Sequence, residues 1–411
     1  MIKDEDIIYW VWLSQLLGAG NPDVEYVLSN IDSPKDLYNL CLKNRFENIK
    51  FLSKYLINKA KTVKLDDAAK IIKKCKEKRY EIITIRDEIY PNRLKNIYSS
   101  PLVLYISGSL DSLYNIDNIL SIAIVGSRKC SEYASEVTKL FSSELSKNKV
   151  MIISGMAVGI DGIALREALK NKSGVIGVLG CGLDVNYPIQ NLDLKKQIES
   201  SPNGCVISEY PPGVRPFSAH FPVRNRIMAG LSSGVLVVEA GERSGSLITA
   251  KIATEQGKDV YGVPNNIFLE NNFGTMNLLK EGAILVTEPR DILENYKYNN
   301  YKLNNIKNKK NNNIYNSDLK DYNLNYNLNS DKLKQAIDKF DKKDYNLNKQ
   351  NNNLTGVLKD IYELLGSEGP QSADYISDKL NISINEILVS ITELEILGLI
   401  KNFTGMKYKI I

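Results

Sequence analysis

Four short segments rich in glycine, serine or arginine are the parts of this sequence best suited to bind an anion. Three of them follow an apolar, strand-like run and precede a helical pattern. Glycine lets the backbone approach a phosphate, a helix N-terminus offers free N–H groups, and arginine binds phosphate through two parallel hydrogen bonds. The candidate residues are Gly126, Ser127 and Arg128, then Ser154 and Gly155, then Phe221, Arg224, Asn225 and Arg226, and finally Ser244, Gly245 and Ser246.

The run Phe221–Arg226 differs from the others because it combines an aromatic ring with two arginines around an asparagine. Arginine pairs with phosphates, whereas a phenylalanine ring stacks on an unpaired base, and proteins that bind single strands use this combination. No nucleophile–base pair accompanies any of the four segments. They therefore predict a surface for a polyanion, with no catalytic residue.

Each segment also has a purely structural interpretation, which the sequence leaves open. Arg128 fits an exposed position after a tight turn, and the run around Phe221 fits a buried ring with internal salt bridges. Ser246 fits a simple helix cap. For Asp161, which follows the second segment, capping of the next helix is the favoured interpretation.

Composition excludes several classes of protein. His220 is the only histidine, so a site with several histidine ligands is excluded, and a Ser-His-Asp triad would need this one residue. The five cysteines are scattered without CxxC spacing, which predicts neither a metal site nor a disulfide framework. The net charge of +5 is too small to indicate nucleic acid by itself. Without a signal peptide or membrane-length apolar run, we expect a cytoplasmic protein that needs no cofactor and no membrane.

Changes in composition and residue periodicity along the chain predict four regions. Residues 1–78 have helical periodicity, whereas residues 79–294 alternate β-branched runs with glycine-rich turns and helices. That alternation is typical of an α/β fold with a doubly wound, mostly parallel sheet. Residues 295–353 are rich in Asn, Lys and Tyr and predict a disordered linker. The order of patterns in residues 354–411 suggests a winged-helix domain.

An ordered set of motifs resembles the DprA/Smf family: AIVGSR, ISGMAVGID, GVLGCGLDVNYP, ISEYPPG, FPVRNRIMAGLS and VVEAGERSGSLITA. The resemblance implies a SAM-like helical domain, an extended Rossmann-like domain and a winged helix. It further implies a homodimer that binds single-stranded DNA, protects incoming DNA and loads RecA recombinase during natural transformation. By motif, DNA contact falls to Arg128, Phe221, Arg224 and Arg226.

Two other functions remain as alternatives. Related Rossmann proteins that release cytokinins, or that were named lysine decarboxylases, process nucleotides, but their PGGxGTxxE signature is absent here. A winged helix could instead make the protein a transcription factor. Residues 354–411 contain 5 Lys and 8 acids, a net charge of −3, and the predicted recognition helix at residues 383–397 has no Lys or Arg. A major-groove helix needs donors to phosphates and guanine, so this alternative is the weaker one.

Overall fold

Helices and strands alternate through the region for which the sequence predicts an α/β domain. The computed structural model describes residues 4–43, 49, 51–297, 356–369, 371–384, 387, 390–391, 394, 399–403 and 407–410. The chain divides into two units, Met1–Lys309 and Lys310–Ile411, each of which is described by itself below. The linker predicted at residues 295–353 lies outside the described residues from residue 298 onward.

Among the described residues, five α-helices precede the first strand: α1 (Asp4–Leu17), α2 (Val24–Ser29), α3 (Pro34–Leu42), α4 (Lys54–Ala60) and α5 (Leu65–Lys78). Ser33 and Ser53 cap α3 and α4 through their side-chain oxygens, which explains where these two helices begin. The apolar side of α1 is buried, and Trp12 donates its Nε1 hydrogen to the Val63 carbonyl at 3.1 Å. These helices share a continuous apolar core with one face of the sheet.

Nine strands form the sheet of the first unit. They are β1 (Glu81–Thr84), β2 (Val103–Gly108), β3 (Ser121–Val125), β4 (Met151–Ser154), β5 (Val175–Leu179), β6 (Gly204–Ser208), β7 (Gly234–Val237), β8 (Asp259–Gly262) and β9 (Ile284–Leu285). Their order across the sheet is β1-β2-β6-β5-β4-β3-β7-β8-β9. In this spatial order, the seven strands from β6 across to β9 pair in parallel. Strand β2 pairs antiparallel with both of its neighbours, β1 and β6. The predicted mostly parallel α/β sheet is confirmed.

Within the described part of this unit, nine α-helices connect or follow these strands. They are α6 (Asn92–Lys95), α7 (Asp111–Tyr114), α8 (Glu132–Lys147), α9 (Ile160–Lys170), α10 (Leu192–Ser200), α11 (His220–Leu231), α12 (Gly245–Glu255), α13 (Phe273–Lys280) and α14 (Pro289–Asn295). They cover both faces of the sheet. In β3, Ile122 and Ile124 enter one apolar cluster, whereas Ala123 and Val125 enter the other. Each buried isoleucine stabilises the fold by about 1.5–3 kcal/mol, which explains apolar strands without alternation.

The strand order changes direction at the boundary between β3 and β7. From β3 the chain winds outward through β4, β5 and β6, and it then crosses to β7, β8 and β9 on the other side. The loops that follow β3 and β7 therefore diverge and leave a crevice at the carboxyl ends of these strands. In open parallel sheets, ligands bind at such a crevice.

The second unit contains α15 (Val357–Glu368), β10 (Gln371–Ser372), α16 (Ala373–Leu380), β11 (Ile400–Phe403) and β12 (Lys407–Ile410). Its strands pair in the order β10-β12-β11 around a small apolar core that includes Ile361 and Ile391. Much of the predicted recognition helix at residues 383–397 lies outside the described residues, so the winged-helix assignment stays a prediction. Among the described residues, no helix is long and apolar enough to cross a membrane.

Candidate nucleic-acid interface

A cleft of about 470 Å³ occupies the crevice between the loops that follow β3 and β7. Three of the four predicted segments meet there, although the first lies about ninety residues or more before the other two in the sequence. The predicted residues that line this strand-end cleft are Gly126, Ser127, Arg128, Phe221, Arg224, Asn225, Ser244, Gly245 and Ser246. Because the carboxyl ends of parallel strands share one edge, the topology brings these segments together.

Arg128 and Phe221 form the centre of this surface. The Arg128 guanidinium carbon lies over the Phe221 ring, 5.4 Å from its centroid, and the Arg128 side chain is exposed. Both residues also line a smaller cavity of about 40 Å³ beyond the ends of β4 and β5. The stacked pair therefore stands between two concavities, with a cation and an aromatic face accessible from the same place. Such cation–π contacts between an arginine and a ring also hold the guanidinium in position.

Arg224 is buried, with 5% of its surface exposed. Its Nη1 donates to the carbonyl oxygens of Gly155, at 2.7 Å, and Val178, and its Nε donates to Asn225 Oδ1 at 3.2 Å. A side chain at position 155 would collide with this guanidinium, so Gly155 makes the room that it occupies. The arginine thus ties the second turn of α11 to the ends of β4 and β5.

Asp161 balances the charge of Arg224 at the base of the cleft. Its Oδ2 accepts from the backbone N–H groups of Gly155 at 3.1 Å and Ala157 at 3.4 Å. The expectation that Asp161 caps a helix is wrong in detail, since the N-cap of α9 is Gly159 and the carboxylate holds the preceding loop instead. Burial raises the pKa of Asp161, and the positive charge of Arg224 opposes that rise.

Packing explains two of the other candidates at the ends of β3 and β4. Ser154 is fully buried and donates its hydroxyl hydrogen to the Ile124 carbonyl at 2.6 Å, which joins the two strands. A Cβ at Gly126 would lie 2.7 Å from Ile160 and 3.0 Å from the Glu239 carbonyl oxygen. Ser154 therefore has an internal role. Glycine is needed at position 126 because the backbone there closely approaches other atoms.

The N-terminus of α8, which follows β3, carries a carboxylate of the protein itself. Ser131 donates its backbone N–H, at 3.1 Å, and its hydroxyl hydrogen to the fully buried Glu239 carboxylate. In dinucleotide-binding proteins the helix after the first strand holds a phosphate at this end. Glu239 therefore satisfies the donors that such a phosphate would use.

The N-terminus of α12 is different because no side-chain carboxylate binds it. Ser244 caps this helix, its Oγ accepting from Ser246 N at 3.4 Å and lying 2.7 Å from Ser246 Oγ. Gly245 is exposed, and its carbonyl accepts from Asn225 Nδ2 at 3.3 Å. Exposed Arg243 precedes the cap and lines the cleft. Ser244 N donates to the Gly241 carbonyl and Ser246 N to Ser244 Oγ, so this turn offers the Gly245 N–H group and a cation to an anion.

Arg226 lies away from the other candidates. Its side chain does not line the strand-end cleft; it forms a buried ion pair with Glu209, which also accepts from Gly20 N at 3.3 Å. The structural interpretation of an internal salt bridge thus holds for Arg226. This contact links α11 to the loop that follows α1.

Sequence reasoning missed three further residues of this surface. Tyr187 lies beside Phe221, with ring centroids 5.7 Å apart, and lines the smaller cavity. Phe217, which is 63% exposed, packs edge-on against His220. The third is Arg243. Tyr187 and Arg243 lie in motifs already noted, and their position in the loops that follow β5 and β7 was the signal that could have found them.

The groups near the cleft that could act as nucleophile or base are otherwise engaged. Burial raises the pKa of the Cys181 thiol, which lines the smaller cavity, to about 11, so the thiolate is scarce at neutral pH. The His220 ring stacks on Tyr210, and its Nδ1 lies 3.2 Å from the Gly180 carbonyl oxygen. Within the described residues, no three metal-ligating side chains form a cluster.

Comparison with known proteins assigns the family. The sequence model of the family described as "DNA recombination-mediator protein A" matches residues 81–297. "Protein Smf" of Synechocystis is 33% identical over 338 residues, which cover 81% of each chain. "DNA processing protein DprA" of Streptococcus pneumoniae is 41% identical over 220 residues, 54% of this chain and 76% of that protein. The X-ray structure of DprA from Streptococcus pneumoniae aligns with a TM-score of 0.52 and 35% identity, covering 62% of this chain and 92% of that one.

The chain belongs to the DprA/Smf family. All residues of the strand-end cleft lie inside the matched segment, residues 81–297, so the DprA/Smf match contains the complete candidate site. Helices α1–α5 and the second unit lie outside that segment. The family places the protein in DNA processing and recombination.

The pairing of Arg224 with Asp161 predicts a pH-dependent stability defect. Replacing Arg224→Met leaves a buried carboxylate without its countercharge and should cost about 3–5 kcal/mol of the free energy of unfolding. The folded-state pKa of Asp161 then rises further above its unfolded value. Because the folded protein then binds more protons than the unfolded chain, stability should fall as pH rises above about 4.

Urea unfolding of the wild type, Arg224→Met and the double variant Arg224→Met/Asp161→Asn, each at several pH values between 4 and 7, measures this effect. The double variant removes the buried charge and should lose the extra pH dependence while recovering part of the stability. If the single variant follows the pH profile of the wild type, Arg224 does not stabilise this carboxylate.

Proposed function

We propose that this protein binds single-stranded DNA across the strand-end cleft, with Arg128 and Phe221 as the central contacts. The observation that carries the proposal is the exposed guanidinium of Arg128 stacked on Phe221 between two concavities. Arg128 binds a backbone phosphate, and the aromatic faces of Phe221 and Tyr187 receive bases.

The preference for a single strand follows from the aromatic contacts. A base inside a duplex is already stacked and paired, so it presents no free face to Phe221 or Tyr187. In an unpaired strand each base has an accessible face, and stacking tolerates any sequence. Family membership in DNA processing supports the same choice of ligand.

A second phosphate position is proposed at the N-terminus of α12. The exposed backbone of Gly245 presents its N–H group there, the Ser244 and Ser246 hydroxyls lie beside it, and exposed Arg243 adds a positive charge. Negative charge is favoured at a helix N-terminus of this kind. A strand that leaves Arg128 would then continue along the cleft toward α12.

Arg224 and Asn225 serve this surface by holding α11, and Arg226 holds it from the other side. Arg224 is committed to backbone carbonyl oxygens, and Asn225 bridges Arg224 to Gly245. Arg226 is committed to Glu209. The direct contact predicted for Arg226 is therefore replaced in the proposal by a positioning role.

The proposed role in the cell is to protect incoming single-stranded DNA and to load RecA onto it. The support is membership in a family described as a recombination mediator, together with a surface built for binding rather than catalysis. A nucleotide-processing enzyme is the less favoured alternative. The buried Glu239, which stands in roughly the place of that group's signature, is hydrogen-bonded to Ser131 and does not line the strand-end cleft.

For the second unit we propose a protein-binding role rather than the reading of duplex DNA. Residues 354–411 carry 5 Lys against 8 acids. A net negative module is repelled by a phosphate backbone.

A homodimer is proposed through the edge of the sheet at β9. This strand pairs with β8 among the described residues, and its Ile284 and Leu285 are 38% and 54% exposed. An exposed apolar edge strand favours association with a second chain. Leu285→Asp should convert dimers into monomers, whereas Leu140→Asp, at the 50% exposed position on α8, should not.

Sedimentation velocity at several protein concentrations reads out the dimer directly. Dimers that persist in Leu285→Asp, or that dissociate equally in Leu140→Asp, would show that β9 is not the interface.

The DNA proposal predicts different behaviour for two variants of the stacked pair. Arg128→Ala should weaken single-strand binding and reduce the slope of log K against log salt by about 0.7, the value for one lost phosphate contact. Phe221→Ala should cost about 1–3 kcal/mol of binding free energy with little change of slope. Fluorescence anisotropy with a labelled oligonucleotide across a salt series measures both quantities.

Arg290→Ala is the matched control, because Arg290 is exposed on α14 and paired with Glu294 at 2.7 Å. It should bind as the wild type does. Equal losses in Arg290→Ala and Arg128→Ala would mean that net charge alone attracts the strand, and unchanged binding in both cleft variants would refute the proposed surface.

A further inference from the structure

A separate cleft of about 510 Å³ lies against the opposite side of α11. It is lined by Pro222, Val223 and Arg226, whereas Phe221, Arg224 and Asn225 of the same helix line the strand-end cleft. The two clefts share no lining residue. A volume in this range suits a small ligand of a few hundred daltons.

Three cations line this second cleft, and one of them lacks a partner. Arg93 is held by Asp117, at 3.3 Å, and Arg226 by Glu209. The side-chain ammonium of Lys258 forms no hydrogen bond or ion pair with any described residue, and its backbone N–H donates to the Ala253 carbonyl at 2.9 Å. Burial lowers the pKa of Lys258, and the charge of Arg93 lowers it further while Asp117 opposes the change. A bound anion would compensate this charge.

Unpartnered buried polar atoms belong to two lining residues. Arg226 is 7% exposed, and its Nε and Nη1 have no acceptor although Nη2 binds Glu209. Gln256 Oε1 is likewise buried without a donor, while its Nε2 donates to the Arg226 carbonyl at 3.3 Å. Buried donors and acceptors normally have hydrogen-bond partners. A ligand with both an anionic acceptor and a donor would supply the partners that these atoms lack.

An aromatic ring completes the lining. Tyr98 is 73% exposed. Its face is thus available for a planar group. Glu255, which is exposed, is the one acid among the lining residues.

We propose that this second cleft binds a nucleoside phosphate. Phosphate oxygens accept from Lys258 and Arg226, the base stacks on Tyr98, and a base or sugar donor meets Gln256 Oε1. The same chemistry is presented by a free nucleotide and by the phosphorylated end of a DNA strand. The site goes beyond the proposed strand-end function and does not depend on it.

The full-length protein is tested by equilibrium dialysis with dAMP and with deoxyadenosine, and by anisotropy with oligonucleotides that carry a 5′-phosphate or a 5′-hydroxyl. The phosphate should raise affinity at least about tenfold in one of these pairs, as expected for a charge-assisted contact. A gain with dAMP identifies a free nucleotide, and a gain only with the oligonucleotide identifies a strand end. No gain in either pair overturns the proposal.

Lys258→Gln and Tyr98→Ala are the diagnostic variants, and Lys251→Gln on the exposed side of α12 is the matched control. Both diagnostic variants should remove the phosphate-dependent gain, and the control should keep it. Tyr98 is exposed, so its variant tests the site even if Lys258→Gln fails to fold. A gain that persists in Tyr98→Ala and in folded Lys258→Gln overturns the proposal.

The strand-end variant Arg128→Ala separates this proposal from the DNA-binding one. It should weaken binding of hydroxyl-ended oligonucleotides and leave the phosphate-dependent gain intact. A gain that disappears in Arg128→Ala but survives in Lys258→Gln would place the phosphate in the strand-end cleft and refute the second site.

Discussion

The buried guanidinium of Arg224 is the interaction on which the binding surface depends. It joins the second turn of α11 to the carbonyl oxygens at the ends of β4 and β5, in space that Gly155 leaves open. Asp161 supplies the opposite charge, without which burying the arginine would be costly. Because Phe221 lies one turn earlier on the same helix, this anchor fixes where the ring meets Arg128. The charge of Arg224 thus positions exposed side chains of the surface, although Arg224 itself is buried.

Helix α11 divides two environments. One side carries Phe221 and Arg224 into the strand-end cleft, and the other carries Arg226 toward the ion pair with Glu209 and the loop after α1. The two arginines are therefore structural on opposite sides of one helix turn. The cationic side chains that remain available to contact an anion are Arg128 and Arg243 on one side of the helix and Lys258 on the other.

The sequence alone was sufficient to predict the mostly parallel sheet and to bring three of the candidate segments to one edge of it. Apolar strands followed by glycine-rich turns dictate a parallel sheet, and the shared edge of that sheet brings Gly126–Arg128 together with Ser244–Ser246. What it could not supply was the direction of each side chain. Phe221 and Arg224 are close in sequence, yet one is partly exposed and the other buried, because helix geometry and the space left by Gly155 decide this. Tyr187 was missed because its contact with Phe221 exists only after β5 and α11 have packed.

The most direct test of the central claim is to map where an unpaired strand touches the protein. A single-stranded oligonucleotide that carries 5-bromouracil is irradiated with the full-length protein, and the crosslinked peptides are identified by mass spectrometry. We predict crosslinks in the peptides that contain Phe221 and Tyr187, and their loss when a complementary strand is annealed first. Crosslinks confined to residues 356–410, or equal labelling by the duplex, would contradict the account.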